Sequence, residues 1–150
     1  MTSPRWYGKG LRFQCQPDCG ACCDVPSGTV FLSRTDVERL ATHHRMEPDL
    51  WLGRDALHRR DGRWMLRSVP ESQVCIYFGD DRRCTVYEAR PDQCRAYPFW
   101  PEVIRTSSTW TKESKECPGI EHPDAPMVRR RDVLRMARLD RRSTRSFDRF

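Results

Sequence analysis

Hydrophobic residues in this chain occur in short groups, which predict short strands and helices rather than long regular elements. Residues 29–32 are a β-prone apolar run that predicts a strand. Ser33 and Asp36 follow it with the Ser-x-x-acid pattern of a helix start, and apolar spacing continues that helix to about His44. A second short helix is predicted around residues 48–57.

The middle of the chain predicts strands followed by one short helix. Residues 64–69 form a candidate strand, and 74–78 and 83–87 form a candidate β-hairpin that would bring Cys75 and Cys84 together. Residues 91–97 predict a helix that begins at a proline, ends before the next proline and carries Cys94.

The last third predicts a strand over 103–110 and a basic helix over 124–142, with the final eight residues frayed. The helix has a candidate buried stripe of Val128, Val133, Leu134 and Ala137. The pattern therefore indicates an α+β fold, a small single loop-rich domain with short β-hairpins and a few helices.

Charge is distributed unevenly, because residues 1–128 are neutral overall and the net charge of +6 lies in 129–150. A basic tail can bind nucleic acid, but the chain has no aromatic stacking platform or nucleic-acid motif. We interpret the tail as a solvated amphipathic helix and expect no nucleic-acid partner.

The sequence contains no apolar run of the roughly 18 residues that a membrane span needs, and its start does not resemble a signal peptide. We therefore expect a soluble, cytoplasmic protein without a membrane partner. Cytosolic thiols are kept reduced, so a cysteine-rich chain there is more often metal-binding than disulfide-bonded.

Cysteine spacing carries the strongest chemical signal, because four of the eight cysteines fall within nine residues. Thiolates are soft ligands that suit zinc, copper(I) and iron–sulfur clusters. Small residues, Gly20 and Ala21, lie among them and would let backbone N–H groups approach the sulfurs. The four histidines are too scattered to anchor a site. The candidate metal ligands are Cys15, Cys19, Cys22, Cys23, Cys75, Cys84, Cys94 and Cys117.

Four blocks, at residues 13–23, 75–77, 84–98 and 117–120, together resemble the YkgJ-like or CxxCxxCC cysteine-cluster family, described as a zinc- or iron-chelating domain. The resemblance covers about residues 11–120. We expect one domain, with a cysteine-cluster metal-binding part over 1–128 and a basic C-terminal helix and tail over 129–150. The first gap, from Cys15 to Cys19, holds three residues where the family shorthand has two. A similar cluster in flagellin lysine N-methylases implies a link to methyl transfer onto proteins.

The compact cysteine run with a distant ligand near prolines, Cys94, favours an iron–sulfur cluster of the [4Fe–4S] type or another iron centre. Zinc is the alternative, and disulfides or copper are less favoured. Arg82, Arg83, Arg90 and Arg95 flank Cys84 and Cys94 and would compensate thiolate charge. We interpret the chain as a metal-binding protein with a structural, metal-handling or redox role. An iron enzyme that uses S-adenosylmethionine on a protein or peptide partner is the other hypothesis, and the motifs leave the question of enzymatic activity open.

Overall fold

The computed structural model describes residues 5–16, 19–20, 29–143, 145, 147 and 150. Short strands and helices lie along them, and the segment from 67 to 86 is held by turns and single bridges. The strands are β1 (Leu11–Arg12), β2 (Phe31–Leu32), β3 (Ala56–His58), β4 (Trp64–Leu66) and β5 (Met127–Val128). The helices are α1 (Arg34–His43), α2 (Pro48–Asp55), α3 (Asp92–Ala96), α4 (Pro101–Ile104), α5 (Ser107–Glu113) and α6 (Arg130–Ser143), with 3-10 turns at Arg5–Tyr7 and Tyr87–Ala89.

The strands form small antiparallel sheets. β1 pairs with β5, which places Leu11 opposite Val128. β4 lies between β2 and β3 in the second sheet, with Phe31 opposite Met65. The mixed α+β fold predicted from the sequence is therefore confirmed.

Helix α1 begins where the sequence predicts. The Ser33 hydroxyl accepts the N–H of Asp36 at 3.0 Å, and the Asp36 carboxylate accepts the N–H of Ser33 at 2.8 Å. This capping box satisfies backbone donors that a helix start leaves without partners. Val37 and Leu40 then face the core and are fully buried.

Two hydrophobic clusters make up the core of the described residues. The first surrounds Trp51 and Trp64 and is built by α1, α2 and the β2–β4–β3 sheet. The second surrounds Phe99 and Trp110 and includes Val133 of α6. The basic helix therefore packs its apolar stripe on the second cluster.

The predicted strand at 103–110 is wrong, because this segment is helical. Pro101 occupies the first turn of α4, where its missing N–H has no cost. Thr106 caps α5 by accepting the N–H of Thr109 at 3.1 Å. The β-branched residues Val103 and Ile104 favour a strand locally, but these two helix starts override them.

The predicted hairpin at 74–87 has single bridges in place of its strands. Phe78 lies opposite Cys84, and Ser68 lies opposite Cys75. Tight turns take up the residues between the bridges, which leaves no room for a longer ladder.

The basic helix starts at Arg130 and not at residue 124, because Met127 and Val128 pair with β1. Val133 and Ala137 are buried as predicted, whereas Val128 belongs to a strand. No helix in the described part of the chain combines the length and apolarity that crossing a membrane requires.

Two tail residues contradict the prediction of a frayed end. Phe147 and Phe150 pack against the first cluster. The indole N–H of Trp64 donates to the Phe147 carbonyl at 3.2 Å, and the N–H of Phe150 donates to the Asp49 carboxylate at 3.1 Å.

Candidate metal centre

Every cysteine that the structure describes lines one cavity of about 140 Å³. These thiols come from separate parts of the chain and meet only in the folded protein. Cys22 and Cys23, which are also predicted ligands, lie outside the described residues. The residues brought together are Cys15, Cys19, Cys75, Cys84, Cys94 and Cys117.

The cavity lies between the two hydrophobic clusters. Leu66 and Val86 line it from the first cluster, and Phe13 and Cys117 line it from the second. A metal bound to thiols on both sides would therefore connect the two halves of the core.

Cys15 is held beside the Cys117 turn by backbone contacts. Phe13 forms a bridge with Ile120, and the N–H of Gln14 donates to the Gly119 carbonyl at 3.2 Å. A Cβ at Gly119 would lie 2.2 Å from the Gln14 carbonyl oxygen. Only glycine lets these two cysteine-bearing segments approach so closely.

Cys19 is held in place by contacts of its segment with Arg82. Gly20 has φ +57°, and a Cβ there would lie 2.3 Å from the Arg82 carbonyl oxygen. The Arg82 guanidinium in turn donates to the Cys19 carbonyl at 3.3 Å. Gly20 is therefore required for close packing on the turn at 79–83, a role that its position among cysteines does not reveal.

Three of the cysteines begin tight turns of the same form. The carbonyl of each cysteine accepts the N–H of the residue three positions later, a geometry typical of β-turns. The pairs are Cys75 with Phe78 at 3.0 Å, Cys84 with Tyr87 at 3.3 Å, and Cys117 with Ile120 at 3.1 Å.

Backbone amides in two of these turns point at the sulfur. The N–H of Tyr77 donates to Sγ of Cys75 at 3.5 Å. The N–H groups of Gly119 and Ile120 donate to the Cys117 sulfur. Hydrogen bonds to sulfur stabilise thiolate ligands and tune the metals that they bind, so these turns suit metal coordination.

Cys94 is positioned by helix α3, whose first residues are fixed by buried polar contacts. The fully buried Asp36 carboxylate accepts the N–H of Asp92 at 2.9 Å. Arg39 donates to the Asp92 carboxylate at 3.1 Å and to the Arg90 carbonyl at 2.8 Å. The start of α3 is therefore anchored to α1, two residues before Cys94.

The thiols differ in exposure, and this affects their chemistry. Cys15 is exposed and Cys117 is buried. Burial raises the pKa of Cys117 to about 11, against hydrogen bonds from Gly119 and Ile120 that lower it, and nearby Cys19 and Cys15 raise it further. Without a bound cation this thiol holds its proton at neutral pH, so metal binding there would release a proton.

Arginines at the cavity agree in part with the predicted charge compensation. Arg90 and Arg95 line the cavity. The Arg95 guanidinium donates to the carbonyls of Arg90 and Glu88 at 3.1 and 2.7 Å, which holds its charge beside the thiols. Arg82 instead contacts the Cys19 segment, as described above.

The histidines, all of which lie in the described part of the chain, do not line this cavity. His58 stacks on Trp64 with ring centroids 4.1 Å apart, and Nδ1 of His122 accepts the N–H of Asp124 at 3.1 Å. These contacts place His58 and His122 away from the residues that line the cavity.

The donor set fits a thiolate-bound metal by its chemistry, since soft sulfur ligands line one cavity with amides aimed at two of them. Within the described residues, however, no three Cys, His, Asp or Glu side chains converge on a position for one ion. Two of the eight predicted ligands, Cys22 and Cys23, lie outside the described residues, so these residues contain only part of the predicted ligand set.

Two residues that support the cavity were not identified from the sequence as functional. Tyr77 lines it beside Cys75, and Gln93 precedes Cys94 and is 7% exposed. Both lie within two residues of a cysteine in the four motif blocks, which is the signal that could have identified them. Their role depends on partners far away in the sequence, which no local pattern shows.

The chain belongs to the CxxCxxCC family, whose model is described as "Putative zinc- or iron-chelating domain" and matches residues 14–118. The matched region begins just before Cys15 and ends just after Cys117, so it includes all eight cysteines. No solved structure was found that matches this chain.

Proposed function

We propose that this protein binds iron or zinc through its cysteine thiolates and that the bound metal stabilises the join between the two hydrophobic clusters. The observation that carries the proposal is the meeting of six separated thiols at one cavity. Cys22 and Cys23 complete the proposed ligand set.

Iron, and an iron–sulfur cluster of the [4Fe–4S] type in particular, is the form that we favour. The cavity of about 140 Å³ has room for a group larger than a single ion. More thiols line it than the four that one zinc ion takes in a structural site. Such a cluster with four thiolates carries a formal charge of about −2, which the guanidinium groups of Arg90 and Arg95 would partly offset.

A role in structure, metal handling or redox chemistry follows from this arrangement. Thiolate-bound iron supplies electron transfer or sensing chemistry when present, and zinc supplies a structural crosslink. The residues of this chain contribute the ligands, the amide hydrogen bonds and the surrounding positive charge.

An iron-dependent enzyme is the second candidate. It is favoured by the open side of the cavity, where Cys15 is exposed and the Tyr87 side chain is 47% exposed. A protein or peptide substrate could approach there, with S-adenosylmethionine as co-substrate. Binding of S-adenosylmethionine to metal-loaded protein, measured by equilibrium dialysis, would favour the enzyme, and its absence would favour the binding module.

The test is elemental analysis and visible spectroscopy on protein purified without oxygen. Iron with acid-labile sulfide and a broad brown absorbance would support the iron–sulfur form. Colourless protein with about one or two zinc ions would support the zinc form. Protein that takes up neither metal on reconstitution would refute the proposal.

Single substitutions sharpen this test. Cys19→Ser and Cys117→Ser should lower metal content and the melting temperature together, because metal binding and folding are coupled at such sites. Thr111→Ser, an exposed change on α5 away from the cavity, is the control and should change neither. Serine variants that kept full metal content and an unchanged melting curve would exclude these residues as ligands.

A further inference from the structure

Tyr77 connects two cysteine turns to helix α2 through its backbone and its side chain. It is the second residue after Cys75, lines the cavity and is only 7% exposed. Its N–H, its carbonyl and its hydroxyl contact three different parts of the protein.

The phenol of Tyr77 is fixed by buried partners on α2. It donates to the Asp55 carboxylate at 2.5 Å and accepts the indole N–H of Trp51 at 3.0 Å. Arg54 holds the same carboxylate with two hydrogen bonds of 2.9 and 2.8 Å. Burial acts to raise the pKa of Asp55, but the hydrogen bonds from Arg54 and Tyr77 outweigh it and lower that pKa. The carboxylate is therefore a charged acceptor, which makes the phenol contact strong.

The backbone of Tyr77 connects the Cys75 turn to the Cys84 turn. Its N–H donates to Sγ of Cys75 at 3.5 Å. Its carbonyl accepts both the N–H and the hydroxyl of Thr85, at 2.8 and 3.0 Å, and Thr85 directly follows Cys84. A shift of the Tyr77 backbone would therefore change the amide contact at one sulfur and the separation of two ligand-bearing turns.

We propose that Tyr77 is a positioning residue of the metal centre, and that its anchorage to Asp55 and Trp51 sets the placement of the Cys75 and Cys84 thiols. This inference rests on the metal-binding function proposed above. Removal of the hydroxyl leaves the buried Trp51 N–H without its acceptor and the Asp55 carboxylate with only its two Arg54 hydrogen bonds. A buried donor that loses its partner moves to regain a hydrogen bond. The turn that carries Cys75 then loses its fixed point on α2.

The chain offers a matched control in Tyr97. This tyrosine also lines the cavity, but its hydroxyl donates at 2.6 Å to Glu113 on α5. Tyr77→Phe and Tyr97→Phe each remove one phenol oxygen from a residue that lines the cavity. The first frees the residue whose N–H donates to the Cys75 sulfur, whereas the second removes a hydrogen bond to a side chain on α5.

The experiment measures zinc affinity by competition with a chromophoric chelator, and the thiolate-to-metal absorption bands of Co²⁺-substituted protein. Loss of residues that orient metal ligands commonly costs 10–100-fold in affinity. Tyr77→Phe is therefore expected to weaken zinc binding by about 10-fold or more and to shift the Co²⁺ bands. Tyr97→Phe is expected to change affinity by less than about twofold and to leave the bands in place.

The Co²⁺ bands separate a positioning role from a general loss of stability, because they report the arrangement of ligands around the ion. Asp55→Asn, which keeps the shape of the side chain, should shift the same bands and serves if Tyr77→Phe fails to fold. Wild-type protein that binds metal while Tyr77→Phe and Asp55→Asn match Tyr97→Phe in affinity and spectrum would overturn this inference alone. If wild-type protein takes up iron and sulfide but not zinc, the iron content and visible spectrum of the same variants decide the inference. Protein that binds neither iron nor zinc would overturn it together with the proposed function.

Discussion

The side-chain amide of Gln93 joins α3 to strand β2 by accepting the N–H of Phe31 at 2.8 Å. The same amide donates to the Thr29 carbonyl at 2.8 Å, so it completes the backbone pairing of this strand. The carbonyl of Gln93 also accepts the indole N–H of Trp100 at 2.8 Å. Since Cys94 is the next residue, these contacts fix the position of that thiol.

Gln93→Met is therefore expected to destabilise the fold by about 2–4 kcal/mol, because two backbone groups lose partners that methionine cannot replace. Metal affinity should fall as well, since Cys94 loses a support. Urea unfolding and chelator competition measure the two effects. Gln73→Met replaces an exposed side chain and is expected to be nearly neutral. Equal stability of the two variants would contradict the role of Gln93.

Gly119→Ala should disturb the contact between the Cys117 turn and the Cys15 segment. The added Cβ would lie 2.2 Å from the Gln14 carbonyl oxygen, so one segment must move. We expect a loss of about 1–3 kcal/mol and reduced metal content, measured by thermal unfolding and elemental analysis.

Gly53→Ala on α2 is the matched control for that change. A Cβ at Gly53 meets no atom within 4 Å, and alanine favours helix over glycine. This variant should gain up to about 1 kcal/mol and keep its metal. If Gly119→Ala behaved in the same way, close approach of the two segments would not be required.

Local patterns predicted the elements that contain their own start signals. The capping box of α1 and the prolines around α3 define those helices within a few residues of sequence, and both were predicted correctly. The prediction of a strand at 103–110 was wrong because β-branched residues favour strands when they are considered alone. The Thr106 cap instead starts a helix at Ser107.

The candidate site could be predicted as a set of residue types but not as a geometry. Soft ligands in a compact run identify a thiolate site from the sequence alone. The pairing of Phe13 with Ile120 and the contact of Gly20 with Arg82 join residues far apart in the chain, and only the folded backbone brings them together. Support from Tyr77 and Gln93 follows from such long-range contacts.

The titration of Asp140 on α6 should make the free energy of unfolding depend on pH. It is 8% exposed, and burial, with help from Glu102, raises its pKa to about 6 from 3.8, while Arg141 opposes the shift. Between pH 3.8 and about 6 the native protein keeps a proton on Asp140 that the unfolded chain has released. The stability that protonated Asp140 contributes is therefore complete below pH 3.8 and is lost as the pH rises through about 6.

Asp140→Asn removes that titration and should be more stable than wild type by up to about 3 kcal/mol at pH 8. The gain should disappear below about pH 4, as urea unfolding over a pH series would show. Asp61 gives a control of opposite sign, because hydrogen bonds from Arg63 lower its pKa to about 2. Asp61→Asn should therefore lose stability above about pH 4, and a constant difference for both variants would contradict the assignment.

We expect Phe150 to contribute to the stability of the first cluster. Its ring packs on that cluster and lies 4.1 Å from the Arg34 guanidinium. Phe150→Ala should lower the free energy of unfolding by about 1–2 kcal/mol through lost apolar burial and the lost cation–π contact. Phe150→Leu keeps most of the apolar burial and should recover part of that loss. Because neither change touches the cysteine cavity, zinc affinity should stay at the wild-type value, measured by chelator competition. If Phe150→Ala had the same free energy of unfolding as wild type, the Phe150 side chain would not contribute to the stability of the first cluster.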